Sequence, residues 1–427
     1  MTPRIPLGRA HALAARIVGE LFAAGVQTRD ITTVGSLRRM APDVGDVSLF
    51  AAAGAAERAR LLRAFTGLPS RTAVLSQADT GAAIATDRGH VTLHVAPPEV
   101  AGAAMVWLTG SVGHVHALAG AALERGLRFA GARLVDRGGA DVASADEESF
   151  YALLDLPYIA PELRHGEDEV EAARAGRLPE LLTPLHIRGD LHMHSTWSDG
   201  RDTIEDMVSA CRQLGYEYVA ITDHSQRAWS SRKLALEDIP RQREDINAVR
   251  RRFPTVRVLH GVEVDIMKDG SLDFDDEVLA GFDIVLASLH DHGGQSGSEL
   301  TARYLHAIES PYVDVITHPM NRSPGIPGGY ELDVDRIFAA AAETGTAMEI
   351  DGAPGHLDMD GAVARHAAEA GVTIVVDSDC HRADALRRQM RFGVGTARRG
   401  WIEPRHVLNT RSVDEVLAFI ARQRARA

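Results

Sequence analysis

The run Gly189-Asp190-Leu191-His192-Met193-His194-Ser195-Thr196-Trp197-Ser198-Asp199-Gly200 decides how the C-terminal half of this chain is read. It opens with a short apolar stretch, Gly189–His192, that reads as a strand. Side chains alternate faces along a strand, so His192 and His194 point the same way. Working outward, six more β-rich runs follow at Tyr218–Thr222, Val256–Val264, Ile284–Leu289, Val313–Thr317, Ala347–Ile350 and Val372–Val376. Helical patterns lie between most of them. The clearest is Thr203–Leu214, with Ile204, Met207, Val208, Cys211 and Leu214 on one face; Asp202 or Thr203 caps it and Gly215 ends it. Seven strands alternating with helices predict an α/β domain built as a closed or nearly closed parallel barrel. Its functional groups belong at the C-terminal strand ends.

Metal-ligand side chains stand at those ends. The first strand carries His192 and His194, followed by Asp199; the second ends in Asp223-His224; the third contains Glu263. The fourth ends in His290, the fifth in His318 and the seventh in Asp379-Cys380-His381, while the sixth, ending Glu349-Ile350-Asp351, carries acids but no histidine. One such histidine is ordinarily structural; a set recurring at one end of one barrel is a metal site. Imidazole and carboxylate without thiolate suit zinc, manganese or iron. His192, His194, Asp199, His224, Glu263, His290, His318, Asp379 and His381 are too many for one ion and enough for two or three. Pleating turns Cys380 to the opposite face, and Cys211 is read as core. His260 points away from Glu263 and is read as structural. His292 is a weaker pocket candidate.

Composition narrows the rest. The chain has 427 residues, enough for two or three domains, with 45% apolar and 25% charged residues, as in soluble globular proteins. No apolar run approaches the roughly 18–20 residues of a membrane span. The first 25 residues lack the uninterrupted apolar stretch of a secretory signal. Two cysteines make no disulfide framework, and the expected location is cytoplasmic. A net charge of −13 argues against wrapping nucleic acid with a broad basic surface. Residues 382–427 nevertheless hold eleven arginines against four acids. Of 46 basic residues only Lys233 and Lys268 are lysines.

The C-terminal motifs together resemble those of the PHP (polymerase and histidinol phosphatase) family. They are the opening run at 189–200, Thr-Asp-His-Ser at 222–225, Gly-Val-Glu-Val-Asp at 261–265, Ala-Ser-Leu-His at 287–290, Thr-His-Pro at 317–319 and Asp-Ser-Asp-Cys-His at 377–381. Gly-Val-Gly-Thr-Ala-Arg-Arg-Gly-Trp at 393–401 and Val-Leu-Asn-Thr at 407–410 resemble the PHP domain of bacterial family X DNA polymerases in particular. The resemblance implies a distorted seven-stranded (βα)7 barrel and three divalent metal ions. His192, His194, Glu263 and Asp379 would hold the first, Glu263 with His290 and His318 the second, and Asp199, His224 and His381 the third. Glu263, Asp379 and His381 are the expected catalytic groups. Arg322, which matches a family arginine, and Arg398 and Arg399, read as part of a loop, are the expected substrate-binding groups.

The N-terminal half carries Val-Gly-Ser-Leu-Arg-Arg at 34–39 and Val-Gly-Asp-Val-Ser at 44–48. These resemble the palm of family X polymerases, a nucleotidyltransferase-like fold in which Gly-Ser cradles the triphosphate and an Asp-x-Asp binds magnesium. Here Ser48 replaces the second carboxylate and Thr92 the third, leaving Asp46 alone. Hydroxyls do not replace anionic ligands of a hard cation, so polymerase activity is expected to be lost. The resemblance starts almost at the palm, with no counterpart of the family's lyase-like and fingers segments. The expected organisation is a palm-like domain at 1–105, a thumb-like segment at 106–165, a linker at 166–188 and the PHP domain at 189–427. His90, His94, His114 and His116 lack ligand spacing and are read as surface residues.

Clustered metals suit phosphate-ester hydrolysis, because they lower the pKa of bound water and clamp the attacking and leaving oxygens. The expected function is therefore a metal-dependent phosphoesterase acting at DNA 3′ ends, as a 3′–5′ exonuclease or 3′-phosphatase. The alternatives are a small-molecule phosphomonoesterase resembling histidinol phosphatases, and a non-catalytic DNA-binding module stabilised by metals. The expected partners are DNA 3′ ends or a small phosphate ester, with no membrane and no obligate protein partner.

Overall fold

A computed structural model describes residues 4–27, 31–228, 230–326 and 328–426. The chain divides into two compact units, Met1–Leu178 and Pro179–Ala427. No helix among the described residues is long and apolar enough to cross a membrane.

The first unit is built on a five-stranded mixed sheet. Its strands are β1 (Ile31–Val34), β2 (Val47–Ala52), β3 (Arg71–Ala78), β4 (Gly81–Thr86) and β5 (Gly89–Ala96), in the order β1-β2-β5-β4-β3. Only β2 and β5 run parallel. Helix α1 (Leu7–Ala23) buries Leu7, Ala10, Leu13, Ala14, Ile17 and Leu21, the three-and-four spacing of one helical face. Helices α2 (Ala101–Thr109), α3 (Val112–Glu124) and α4 (Glu147–Leu153) follow. Here one reading is corrected. His114 is fully buried, with Nδ1 2.7 Å from Glu169 Oε1 and Nε2 2.9 Å from the Tyr151 hydroxyl. It shares the inner face of α3 with Leu118, Ala121 and Ala122, whereas His116, two residues on, falls on the opposite face and is exposed.

The second unit is the expected barrel. Strands β6 (Gly189–Asp190), β7 (Tyr218–Ile221), β8 (Arg257–Asp265), β9 (Ile284–Ser288), β10 (Val315–Ile316), β11 (Ala347–Asp351) and β12 (Ile374–Asp377) pair in sequence order, all parallel. Each run read from the sequence overlaps one of them, with ends that differ by no more than two residues. Helix α5 (Ile204–Gln213) starts in a capping box, with Asp206 N–H donating to Thr203 Oγ1 at 3.2 Å and Thr203 N–H donating to Asp206 Oδ2 at 3.1 Å.

Alternation along the strands stacks the barrel interior in two layers. Tyr218, Leu259, Ile284, Leu286, Ala347 and Val375 make an apolar layer, closed by Val416, Phe419 and Ile420 of the C-terminal helix α7 (Val413–Arg424). Two or four residues further along the same strand faces stand Glu263, Glu349 and Asp379. Between the layers Gly261 leaves a gap that must stay empty: a Cβ there would lie 2.7 Å from Thr222 Cγ2 and 2.8 Å from Ile284 Cγ2.

The first and last strands meet through one bridge, Met193 with Cys380, where His194 N–H donates to Cys380 O at 2.9 Å. Asn409 staples the remaining seam. Its Nδ2 donates to Gly189 O at 3.0 Å and Val376 O at 2.6 Å, and its Oδ1 accepts from Val376 N–H at 3.1 Å.

Candidate metal centre

The nine predicted ligands converge at the C-terminal end of the barrel. His192, His194, His224, Glu263, His318 and Asp379 are buried, and Asp199, His290 and His381 are half-buried at the rim. His318 and Asp379 adopt the left-handed backbone conformation, φ 28° and 47°, which turns the chain sharply where each strand ends.

Their donor atoms fall into three sets. In the first, His192 Nε2 and His194 Nε2 are 3.1 Å apart, Glu263 Oε2 is 3.5 Å from both, and Asp379 Oδ1 is 3.6 and 3.1 Å from them. Tetrahedral coordination with bonds of about 2.0–2.1 Å requires donor separations of about 3.3 Å. In the second, the other oxygen of Glu263, Oε1, lies 3.5 Å from His290 Nε2 and 3.0 Å from His318 Nε2. In the third, Asp199 Oδ1 lies 3.5 Å from His224 Nε2 and 3.3 Å from His381 Nε2. Glu263 thus turns one oxygen to each of two sets, the posture of a bridging carboxylate.

The polar atoms fit cations better than one another. His224 Nδ1 and Glu263 Oε2 lie 2.7 Å apart yet make no well-formed hydrogen bond, and both are buried without a hydrogen-bond partner among the described residues, as are His194 Nδ1 and Asp199 Oδ1. Buried lone pairs left this way are costly unless a metal or proton binds them. With protons alone in the site, charges distribute accordingly. Burial pushes the Glu263 carboxyl up, but His224 and His290 outweigh it and hold it well below its ordinary value. Burial lowers His318 and His381, but Glu263 raises the first and Asp379 the second, each to about 9. Burial, with His381 and His224 beside it, brings His194 down to about 3, a neutral imidazole with its lone pair available.

A surrounding layer orients the ligands, and most of it escaped the sequence reading. Glu349, on the strand read as carrying acids but no histidine, accepts from His192 Nδ1–H at 2.6 Å and from His318 N–H at 2.8 Å, and from the Thr317 hydroxyl. Asp265 Oδ1 is 2.8 Å from His290 Nδ1. The signal for Asp265 was present: it follows Glu263 by two residues, on the same strand face. Asp223 Oδ1 accepts from Ser195 N–H at 2.8 Å, Ser198 N–H at 3.1 Å and Ser198 Oγ at 2.6 Å, fixing the loop that presents Asp199. Gln242 links Asp223 to His260, which is structural as read. After β11 the chain returns a further histidine to the rim: His356 stacks on His318 with centroids 5.4 Å apart, its Nδ1 buried without a hydrogen-bond partner among the described residues.

Of the predicted substrate arginines, Arg322 and Arg398 are each held by a neighbour outside the nine candidate ligands. Arg322 Nη1 lies 3.2 Å from Asp360 Oδ2. Arg398 and Arg399 lie not in a loop but in the last turn of helix α6 (Leu386–Arg399), where Arg398 donates to Leu182 O at 3.0 Å. The glycines that suggested a loop serve close packing: a Cβ on Gly393 would meet Val376 Cγ1 at 2.9 Å. Cys380 is buried, its thiol donating to Arg382 O, and Cys211 is core. His292 is exposed.

In the first unit Ser48 and Thr92 are cross-strand neighbours on β2 and β5, and Ser48 Oγ donates to Asp46 Oδ2 at 3.2 Å. Arg38 is held by Glu147 at 2.8 and 2.6 Å, and Arg39 donates to Thr109 O.

The chain is similar to known proteins over most of its length. The PHP domain family matches residues 190–319, and the DNA polymerase beta thumb family matches residues 104–165. A Bacillus subtilis (strain 168) protein named DNA polymerase/3′-5′ exonuclease PolX is 37% identical over 98% of this chain and 73% of its own length. A Shewanella sp. (strain MR-4) protein named "Probable phosphatase" is 32% identical over 46% of this chain and 77% of its own. Another of that name, from Syntrophotalea carbinolica, is 28% identical over 56% and 98%.

Proposed function

The chain belongs to the family X DNA polymerases that carry a PHP domain, and from that membership we propose that it is a metal-dependent phosphoesterase shortening or dephosphorylating DNA at 3′ ends, with polymerase activity lost. The observation that carries the phosphoesterase reading is Glu263, whose two oxygens face two sets of histidines at the barrel mouth.

In this reading three divalent ions, of zinc, manganese or iron, occupy the three sets. Bound there, they supply an activated water and charge stabilisation for in-line displacement at phosphorus. The chain's own residues organise that chemistry. Glu349 keeps the His192 proton on Nδ1 and leaves Nε2 free to ligate. Asp265 does the same for His290. Asp223 pins the Ser195–Ser198 loop so that Asp199 reaches His224 and His381. Glu263, Asp379 and His381 are the assigned catalytic groups.

The palm-like and thumb-like segments, 1–105 and 106–165, serve in this reading to dock DNA. Loss of polymerisation rests on Ser48 and Thr92, which remove two of three carboxylates from the palm. A second reading, a small-molecule phosphomonoesterase, is favoured by the relatives named as phosphatases and by the acidic net charge of −13. One assay separates the two. With Mn²⁺, a 3′-recessed oligodeoxynucleotide should turn over faster than histidinol phosphate or a nucleoside monophosphate. Equal or faster turnover of the small esters establishes the second reading instead.

A further inference from the structure

A cavity of about 440 Å³ opens beside His290, on the side of the metal centre bounded by the loops after β8 and β9. It falls within the range of small-ligand sites. Three cations line it, Arg227, Lys268 and Arg303, together with Asp265, His290 and Asp291. Each acid is engaged through one oxygen, Asp265 Oδ1 by His290 Nδ1 at 2.8 Å and Asp291 Oδ1 by Gly293 N–H at 2.7 Å, while Asp265 Oδ2 is buried without a hydrogen-bond partner among the described residues. Arg303 is buried and donates to the carbonyls of Asp291 and Ile266 and to Gln295 Oε1, none of them a carboxylate, while its Nε is buried without a partner among the described residues. Its positive charge therefore lies under the cavity with no carboxylate in direct contact among the described residues, Asp265 and Asp291 acting on it only from further away. Above it stand Lys268, exposed, with its stem passing close to Gly293, and Arg227, whose side chain is 63% exposed and reaches Asp273 with Nε at 3.4 Å.

Because His290 belongs to both the cavity and the metal centre, whatever fills the cavity is contiguous with the ester being cleaved. Three cations against two carboxylates leave the lining net positive, so an anion gains more there than a neutral or cationic group does. We propose that this cavity is a second phosphate subsite, with Lys268 and Arg227 contacting the phosphodiester next to the scissile one and Arg303 supplying buried charge beneath it. This deepens the proposed function and rests on it: the subsite makes the centre prefer a nucleotide chain to an isolated phosphate monoester.

The test compares the full-length protein with Lys268→Ala, Arg227→Ala and the double variant, all loaded with Mn²⁺. Substrates are a single-stranded oligodeoxynucleotide, the same oligonucleotide with a neutral methylphosphonate replacing the phosphate next to the 3′-terminal linkage, and p-nitrophenyl phosphate. The ratio of kcat/KM for oligonucleotide over p-nitrophenyl phosphate should fall about tenfold in the double variant, as expected for lost charge-assisted contacts. The methylphosphonate should slow the wild type by a similar factor and the double variant hardly at all, because the two changes remove one interaction. The exposed Lys268→Ala provides the same comparison if Arg227→Ala disturbs folding through Asp273. Wild-type cleavage of the oligonucleotide with an unchanged ratio, or with losses that simply multiply, overturns the subsite alone. Wild-type cleavage of p-nitrophenyl phosphate without cleavage of the oligonucleotide overturns the DNA reading and the subsite together.

Discussion

Glu349 Oε1 lies 2.6 Å from His192 Nδ1, so the carboxylate on the sixth barrel strand fixes the tautomer of a candidate metal ligand just beyond the first. A neutral amide in its place holds the ring less firmly and does not raise its basicity. Such outer partners contribute about 10–100-fold to metal affinity or activity. Glu349→Gln should therefore lose metal on dialysis that the wild type retains, with activity partly recovered by excess Mn²⁺. His192→Ala should be inactive at any Mn²⁺ concentration while its far-UV circular dichroism persists. Elemental analysis beside the activity assay checks both.

Protons and metals compete for the same imidazoles. Without metal, His318 and His381 stand at about 9 against an ordinary 6.5. A group raised in the folded state stabilises fully below its unfolded pKa and loses that contribution as pH climbs through the folded one. The melting temperature of chelator-treated protein should accordingly decline between about pH 6.5 and 9. Metal-loaded protein should escape that decline, because binding displaces the protons. Calorimetric titration with Zn²⁺ at pH 7.5 in buffers of different ionisation enthalpy should show proton release; its absence would mean these histidines are not ligands.

How far the sequence discloses the site depends on the range of the interaction. Strand alternation is local, so the β-rich runs and the nine candidate ligands near their ends could be read directly. Glu349 could not be assigned as the partner of His192, since the two are 157 residues apart and meet only once the barrel forms. His114 was misread because isolated spacing says nothing about which helical face is covered. Arg398 and Arg399 look like loop residues because of the glycines near them, yet Gly393 and Gly395 lie inside the same helix, packed against β12.

Asn409 illustrates the same limit in a residue whose motif was noticed but whose role was hidden. Its carboxamide satisfies Gly189 O and both backbone groups of Val376 at the barrel seam. Asn409→Ala would leave those groups buried and unpaired, at a cost of about 2–3 kcal/mol. The transition of the metal-binding unit, identified in calorimetry by its upward shift with Mn²⁺, should move down in temperature. The other transition should not move.

The palm-like sheet offers the last prediction, that this protein does not extend primers. Nucleotidyl transfer needs two metals held by closely placed carboxylates. Ser48 and Thr92 face each other across β2 and β5 at the positions of two such carboxylates, and the Ser48 hydroxyl donates to Asp46, the one that remains. A single carboxylate already engaged by a neighbouring hydroxyl holds one hard cation weakly and a second not at all. The adjoining arginines do not compensate, because Glu147 engages Arg38 and the Thr109 carbonyl accepts from Arg39. Primer–template assays with four dNTPs and Mg²⁺ or Mn²⁺, run in the His192→Ala background to suppress degradation, should show no template-dependent extension. Extension that disappears on Asp46→Ala would show that one carboxylate suffices and that the palm still polymerises.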